Sequence, residues 1–294
     1  MRIAFLLRPA PNGATAAQLS EVSQEVIQRV RRDGARVDLI VPEAEAWDVE
    51  EVATRRPRHD LYVLWSTTPL ALALAGALDA AGARLVNPYQ PARFKDKAVT
   101  TMLLAAAGVP VPPSWLASGP APLRPLLQEG PLVVKSLVGS MGQGVRRLAR
   151  PEDLEDVEDR DGGGGAGAPP APLLAQREAA STGRDLKVYV VGDWVAAITR
   201  PYPPATEADK RGTPAEVPRA VREAALACGR AIGFELYGVD VLAESEQPGA
   251  PFVVVDVNNF PTYRGVPDAP RRIADYLLAR ARAPAGAPGS GGAA

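Results

Sequence analysis

A single cysteine, Cys228, and a single histidine, His59, stand among 294 residues. One thiol excludes an internal disulfide framework and any multi-cysteine zinc or iron–sulfur site. One imidazole excludes a multi-histidine metal cluster and leaves a Ser-His-Asp triad only one possible base. Metal chemistry in such a chain falls to oxygen ligands, hence to Mg²⁺, Mn²⁺ or Ca²⁺. An excess of either charge is also missing: 33 basic residues face 34 acidic ones, for a formal net charge of -1. That balance argues against a chain built to coat nucleic acid or an anionic membrane. No apolar run reaches the roughly 18 residues that a membrane span needs. The run Ile3 to Leu7 meets Pro9 and Pro11 too early for a secretory signal. A cytoplasmic location is therefore expected; the oligomeric state leaves no mark in the sequence.

What is present is a chain with 46% hydrophobic residues, 27 glycines and 30 prolines, many of them at breaks between elements. The first 88 residues alternate strand and helix. Short apolar runs at Ile3–Leu7, Val37–Val41, Leu61–Trp65 and Leu85–Val86 read as buried parallel strands. Helical spacing over residues 15–34 (Leu19, Val22, Val26, Val30) and an Ala/Leu-rich stretch over 69–81 lie between them, stopped by Gly34 and Gly82. This alternation predicts a parallel, doubly wound α/β domain over residues 1–88.

Beyond Pro88 the pattern changes. Residues 96–107 read as a helix opened by Asp96 and closed by Gly108, and Pro110, Pro112 and Pro113 enforce an extended stretch. Pro131–Lys135 and Val145–Leu148 are strands joined by Gly139-Ser140-Met141-Gly142-Gln143-Gly144. Residues 161–171 form a low-complexity Gly/Pro segment, read as a surface loop. A strand at 172–176 follows, then a hairpin of Leu186–Val191 and Trp194–Thr199. A helix over 215–232, a strand pair at Tyr237–Ala243 and Phe252–Val257, and a helix over 269–282 complete the folded chain. The tail over 284–294 lacks periodicity and reads as disordered.

Three groups of residues could carry chemistry. Asp240 lies in one late strand, and Asp256 and Asn258 lie two apart in the next, so these last two share a face. A carboxylate in an apolar strand is costly unless paired. The three can be ligands of a divalent cation or caps of a strand end. The glycine segment is neither a Walker A loop nor a dinucleotide fingerprint, since the spacing differs and a strand follows. It is either a plain hairpin or a loop whose amides approach phosphate oxygens. Only five lysines occur (95, 97, 135, 187 and 210), and Lys135 and Lys187 fall within strands. Their tips either reach solvent or meet an anion. Cys228 reads as packing on an Ala-rich helix, His59 as a surface histidine, and the scattered Trp47, Trp65, Trp115 and Trp194 as core or pocket walls.

Taken in order, these segments resemble the ATP-grasp superfamily from about residue 88 to 270. Asp96-Lys97 with Gly108-Val109-Pro110-Val111-Pro112 is similar to its first helix, and Val133-Val134-Lys135 with the glycine loop to its phosphate-covering hairpin. Leu174-Ala175-Gln176-Arg177-Glu178 resembles the adenine-contacting hinge. Asp185-Leu186-Lys187-Val188-Tyr189-Val190-Val191-Gly192 with Arg200 resembles the central catalytic hairpin. The resemblance implies an α/β protein with ATP-grasp architecture. Its parts would be the N-terminal parallel α/β domain (1–88), a small subdomain (89–178), and a mainly antiparallel α+β catalytic subdomain (179–283). It also implies one ATP- and Mg²⁺-dependent site, with Mn²⁺ as an alternative metal. Lys97, Lys135 and the loop residues Gly139, Ser140, Met141, Gly142 and Gly144 would contact the nucleotide's phosphates. Gln176, Arg177 and Glu178 would line its adenine and ribose. Asp240, Asp256 and Asn258 would hold magnesium, and Lys187 and Arg200 would neutralise the transferred phosphoryl group.

Two branches compete. The glycine loop looks like that of RimK-like carboxylate–amine ligases. Lys187–Gly192, Arg200-Pro201 and Asp256–Val266 resemble the inositol trisphosphate kinases, although the histidine those kinases carry after the Lys135 equivalent is absent. Asp256 stands where many of the ligases carry Glu. A ligase is the first expectation, a kinase of a polyol or inositol phosphate the second, and a non-catalytic nucleotide-binding protein the third. Arg264 is the candidate for an acidic group on a small-molecule or peptide substrate, or else a surface arginine. Lys210 and Arg211 sit in an irregular stretch, 201–213, read as a lid over the acceptor.

Overall fold

A computed structural model describes residues 1–10, 19–54, 57–93, 96–137, 144–155, 172–247 and 249–284. The loop positions Gly139, Ser140, Met141 and Gly142, the Gly/Pro segment and the C-terminal tail lie outside them.

The chain opens with β1 (Arg2–Leu7), α1 (Glu21–Arg32), β2 (Arg36–Ile40), α2 (Val49–Thr54), β3 (Leu61–Trp65), α3 (Pro69–Ala80) and β4 (Leu85–Val86). The four strands form a parallel sheet in the order β2-β1-β3-β4. Ile3 to Leu6 are fully buried, which explains an unbroken apolar run instead of alternation. Ser20 and Thr68 start α1 and α3 by accepting hydrogen bonds from the amides of Ser23 and Ala71.

Next come α4 (Tyr89–Arg93), α5 (Lys97–Ala106), β5 (Ser114–Ala117), α6 (Arg124–Gln128), β6 (Leu132–Ser136), β7 (Val145–Leu148) and β8 (Leu173–Arg177). Asp96 caps α5, its carboxylate accepting from the amides of Ala98 at 2.8 Å and Val99 at 3.2 Å. The strands form an antiparallel sheet in the order β5-β8-β6-β7, with Leu123, Leu132, Val134, Leu148 and Ala175 in its core.

The last third holds β9 (Arg184–Val191), β10 (Trp194–Pro201), α7 (Glu207–Arg211), β11 (Thr213–Ala215), α8 (Arg219–Ile232), β12 (Leu236–Ala243), β13 (Phe252–Asn259) and α9 (Ala269–Arg282). Its antiparallel sheet runs β11-β10-β9-β12-β13. The hairpin between β9 and β10 turns at Gly192, where φ is +57° and a Cβ would lie 2.6 Å from the Tyr276 ring.

Several expectations need correction. Residues 213–215 pair with Thr199, Ile198 and Ala197 as an edge strand, and the helix begins only at Arg219, after Pro218. The stretch 201–213 is not irregular: Thr206 and Asp209 form a capping box at the start of α7. At its far end, Gly212 (φ +56°) would place a Cβ 2.6 Å from the Thr199 carbonyl. Strand β5 and helices α2, α4 and α6 have too few periodic positions to be read from the sequence. His59 is not a surface histidine; its side chain is 8% exposed, and Nε2 lies 2.8 Å from Asp38 Oδ2.

Asn87, fully buried, joins the first sheet to the last. Its Nδ2 donates to the Leu236 carbonyl at 2.7 Å and to Asn259 Oδ1 at 2.5 Å. Its Oδ1 accepts from the amides of Glu235 and Leu236, each at 2.8 Å. This carries β4 to the end of β13, where the chain leaves Asp256 and Asn258.

Candidate active site

Strand register assembles the polar face of the last sheet. Asp185 and Lys187 alternate on β9; Arg200 lies opposite Asp185 on β10, and Asp240 lies opposite Lys187 on β12. Asp256 on β13 lies opposite Asp240, and Asn258 lies opposite Gly238. Period-two alternation thus sends residues from four strands to one side.

There the side chains meet. Lys187 Nζ is 2.7 Å from Asp240 Oδ1, Arg200 Nη2 is 3.0 Å from the same oxygen, and Asn258 Nδ2 donates to Asp240 Oδ2 at 2.9 Å. Arg200 also forks onto Asp185, through Nε at 2.8 and 3.1 Å and Nη2 at 2.8 Å. Asp256 Oδ1 accepts from the Val257 amide at 2.9 Å. Burial, and then the Asp240 carboxylate, push the Asp256 carboxyl above its usual range, while Lys187, Lys135 and Lys97 pull it back. Burial also works against the charge on Arg200, but the Asp185 hydrogen bonds and both carboxylates outweigh it and raise its pKa. A Cβ at Gly238 would lie 3.1 Å from Lys187 Cε and 3.2 Å from Pro261 Cγ, so the missing side chain is the slot in which the lysine stem lies.

The small sheet supplies the opposite wall. Lys135 Nζ, at the end of β6, donates to Gln176 Oε1 at 2.6 Å and to the Val255 carbonyl at 2.9 Å. That second bond reaches β13 one residue before Asp256. Burial lowers the Lys135 pKa, against the pull of Asp256. Lys97, at the start of α5, donates to the Ser136 carbonyl at 3.3 Å. Gly144 (φ +72°) accepts from the Ser136 amide as β7 begins.

Gln176 is buried beside Lys135, but its neighbours in sequence are not part of this cluster. The Arg177 guanidinium turns to the other face of β8, bonded to the Gly130 carbonyl at 2.6 Å and lying over Trp115. Glu178 pairs with Arg147 at 2.6 Å. Arg264 follows Tyr263, a fully buried residue with φ +51° whose hydroxyl donates to the Val190 carbonyl. Arg211 lies against the same loop, because a Cβ at Gly265 would meet its carbonyl oxygen at 2.1 Å. A separate groove of about 360 Å³, walled by Trp194, Pro214, Val266 and Pro267, carries little charge beyond Asp268.

Residues 94–277 match the RimK-like ATP-grasp domain, a span that takes in α5, both antiparallel sheets and most of α9. The chain belongs to the RimK-like ATP-grasp family. Relatives include two proteins named probable alpha-L-glutamate ligase. One, from Methanococcoides burtonii, is 30% identical over 187 residues, covering 60% of this chain and 59% of that protein. The other, from Shewanella amazonensis, is 29% identical over 190 residues, covering 60% of each chain. The match therefore spans about 60% of these curated relatives' length.

Solved ATP-grasp structures share the fold over nearly the whole chain. A RimK domain ATP-grasp protein from Sphaerobacter thermophilus aligns with a TM-score of 0.71 at 22% identity, covering 95% of this chain and 100% of that one. The ATP-grasp ligase PsnB, complexed with a minimal precursor, Mg and ADP, aligns with a TM-score of 0.67 at 20% identity, covering 96% and 97%. The α/β fold with one parallel and two antiparallel sheets is thus the ATP-grasp architecture.

The face suits a cation-bridged polyphosphate by its chemistry. Among the described residues no group of three or more His, Cys, Asp or Glu side chains surrounds a metal position. A cation here would rest on Asp240, Asp256 and the Asn258 amide, and draw further oxygens from its substrate, the usual arrangement for Mg²⁺. The surplus of Lys97, Lys135, Lys187 and Arg200 suits phosphate. Among the described residues no helix is long and apolar enough to cross a membrane.

Sequence reading missed Asp185, Gly238 and Asn87. Asp185 opens the quoted hairpin motif, and its charge at a buried strand position was the available signal. Gly238 and Asn87 had none, because each matters only through a partner distant in sequence.

Proposed function

We propose that this protein is an ATP- and Mg²⁺-dependent carboxylate–amine ligase. The carrying observation is the meeting of Lys135, Lys187, Arg200, Asp240, Asp256 and Asn258 between two sheets, five strands contributing. Family membership and the ligase names of its relatives support the same reading.

In this reading, Lys97 and Lys135 bind the nucleotide's phosphates, and Gln176 orients the Lys135 ammonium. Gly144, where β7 begins, is proposed to approach the phosphates; Gly139, Ser140, Met141 and Gly142, proposed for the same role, lie outside the described residues. Asp240, Asp256 and Asn258 would hold Mg²⁺, which would supply charge neutralisation for the nucleotide's phosphates. Lys187 and Arg200 stabilise the phosphoryl group as it passes from ATP to a substrate carboxylate oxygen, and ADP leaves. An amine then attacks the acyl carbon, the C–O bond to phosphate breaks, and the nitrogen loses a proton. No protein nucleophile is needed, in keeping with one buried Cys228 whose thiol pKa is pushed up to about 12 by burial.

Arg264 and the neighbouring α7 face an acidic group on the acceptor, a small molecule or a peptide. Structural neighbours complexed with precursor peptides, PsnB and the macrocyclase MdnC, support the peptide alternative. The test is product analysis with Mg²⁺, ATP and mixed pools of carboxylates and amines. Equal yields of ADP and free phosphate with an amide-linked product are expected. A product carrying only an added phosphoryl group, with no free phosphate, would replace the ligase reading with a kinase one.

A further inference from the structure

We propose that Asp185 is a positioning residue that fixes the plane of Arg200 for the transferred phosphoryl group; this rests on the nucleotide site proposed above. The Asp185 side chain is 1% exposed, and among the described residues Arg200 is its hydrogen-bonded partner. A buried ion pair of this kind is a weak source of stability, since desolvation offsets most of the attraction. Its value lies in geometry. Two teeth of the guanidinium fork, Nε and Nη2, are taken by one carboxylate, while Nη1 has no protein partner among the described residues.

Arg200 has a second anchor, Asp240 Oδ1 at 3.0 Å, but that oxygen is also contacted by Lys187, and Asp240 is a proposed cation ligand. Once Asp240 turns its oxygens to a cation, only Asp185 holds the guanidinium. Without the Asp185 charge, the guanidinium would lose the fork that sets its plane. Asp185 thus holds the guanidinium plane and leaves Nη1 for the phosphoryl oxygens.

The test is calorimetric titration, in Mg²⁺, of wild type and Asp185→Asn with ADP and with AMPPNP. ADP lacks the transferred group, so its affinity is expected to change less than twofold. AMPPNP affinity is expected to fall roughly tenfold or more, the value of a charge-assisted hydrogen bond. The Asp185→Asn/Arg200→Ala double variant is expected to bind AMPPNP no more weakly than Arg200→Ala alone. Equal weakening of both nucleotides, or penalties that add, would overturn the proposal. Should Asp185→Asn not fold, Arg200→Lys asks the same question, because lysine keeps the charge but cannot take the fork. Undiminished AMPPNP binding by that variant would also overturn it. Failure of wild type to bind either nucleotide would instead remove the nucleotide site and this role together.

Discussion

Two buried ionic clusters lie on the last sheet, and they are built differently. At the β12 start, Glu235 accepts from Tyr276 Oη at 2.6 Å, Arg280 Nε at 2.9 Å and Arg280 Nη2 at 3.1 Å. One acid meets one base, and both carboxylate oxygens are occupied. Five residues along β12, Asp240 shares one oxygen between Lys187 and Arg200, and faces a second carboxylate, Asp256, across the strand pair. Lys135 and Lys97 act on Asp256 as well. The first cluster is closed and balanced, as a fastening between α9 and β12 should be. The second sets two carboxylates across one strand pair among several cations that they share, the arrangement that the proposed nucleotide site would use.

The largest expected effect follows from that contrast. Asp256→Asn should lower turnover by about 10³-fold or more, because a proposed metal ligand is lost. The melting temperature should hold or rise, because a buried like-charge pair is relieved. Glu235→Gln should do the reverse, costing about 3 kcal/mol of stability as one partner of a closed buried pair is removed. Turnover per folded molecule should stay unchanged. Denaturant midpoints and active-site-normalised rates measure both. If the two variants behaved alike, the distinction between the clusters would fall.

Smaller changes sharpen it. Gly265→Ala puts a Cβ onto the Arg211 carbonyl at a residue with φ +76°. It should cost about 2 kcal/mol and speed proteolysis across residues 202–212. An unchanged cleavage rate would mean α7 is not pinned there. The smallest effect belongs to Asp38 in the first sheet. The hydrogen bond from His59, then that from Arg2, hold its carboxyl below the usual range. A lowered carboxylate contributes stability above its unfolded pKa of about 3.9 and loses it as pH falls through the folded value. Asp38→Asn should therefore destabilise by less than about 1 kcal/mol at pH 6, given partial exposure. The gap to wild type should close below pH 4; a gap that persisted in acid would assign the effect to packing instead.

The parallel sheet was readable because its strands are continuous apolar runs between glycine-stopped helices. The late strand pair was readable because Asp240, Asp256 and Asn258 interrupt strands that are otherwise apolar. Arg177 lies away from Lys135 for a reason of period two: its neighbour Gln176 turns toward Lys135, so it turns the other way, to Trp115. The stretch 201–213 reads as irregular because α7 is five residues long and β11 three, too short for periodicity to register. The burial of His59 against Asp38 brings the loop before β3 onto β2 across 21 positions, which local pattern does not encode.

The order of residue types along the chain determined the strands, the helix caps and the charged interruptions, because these depend on local alternation and on backbone hydrogen bonding within a few residues. Which cation meets which carboxylate was decided only when β9, β10, β12 and β13 came into register and Lys135 reached the Val255 carbonyl from another sheet. Electrostatic interaction depends on distance in space and on burial, and neither exists until the chain has folded.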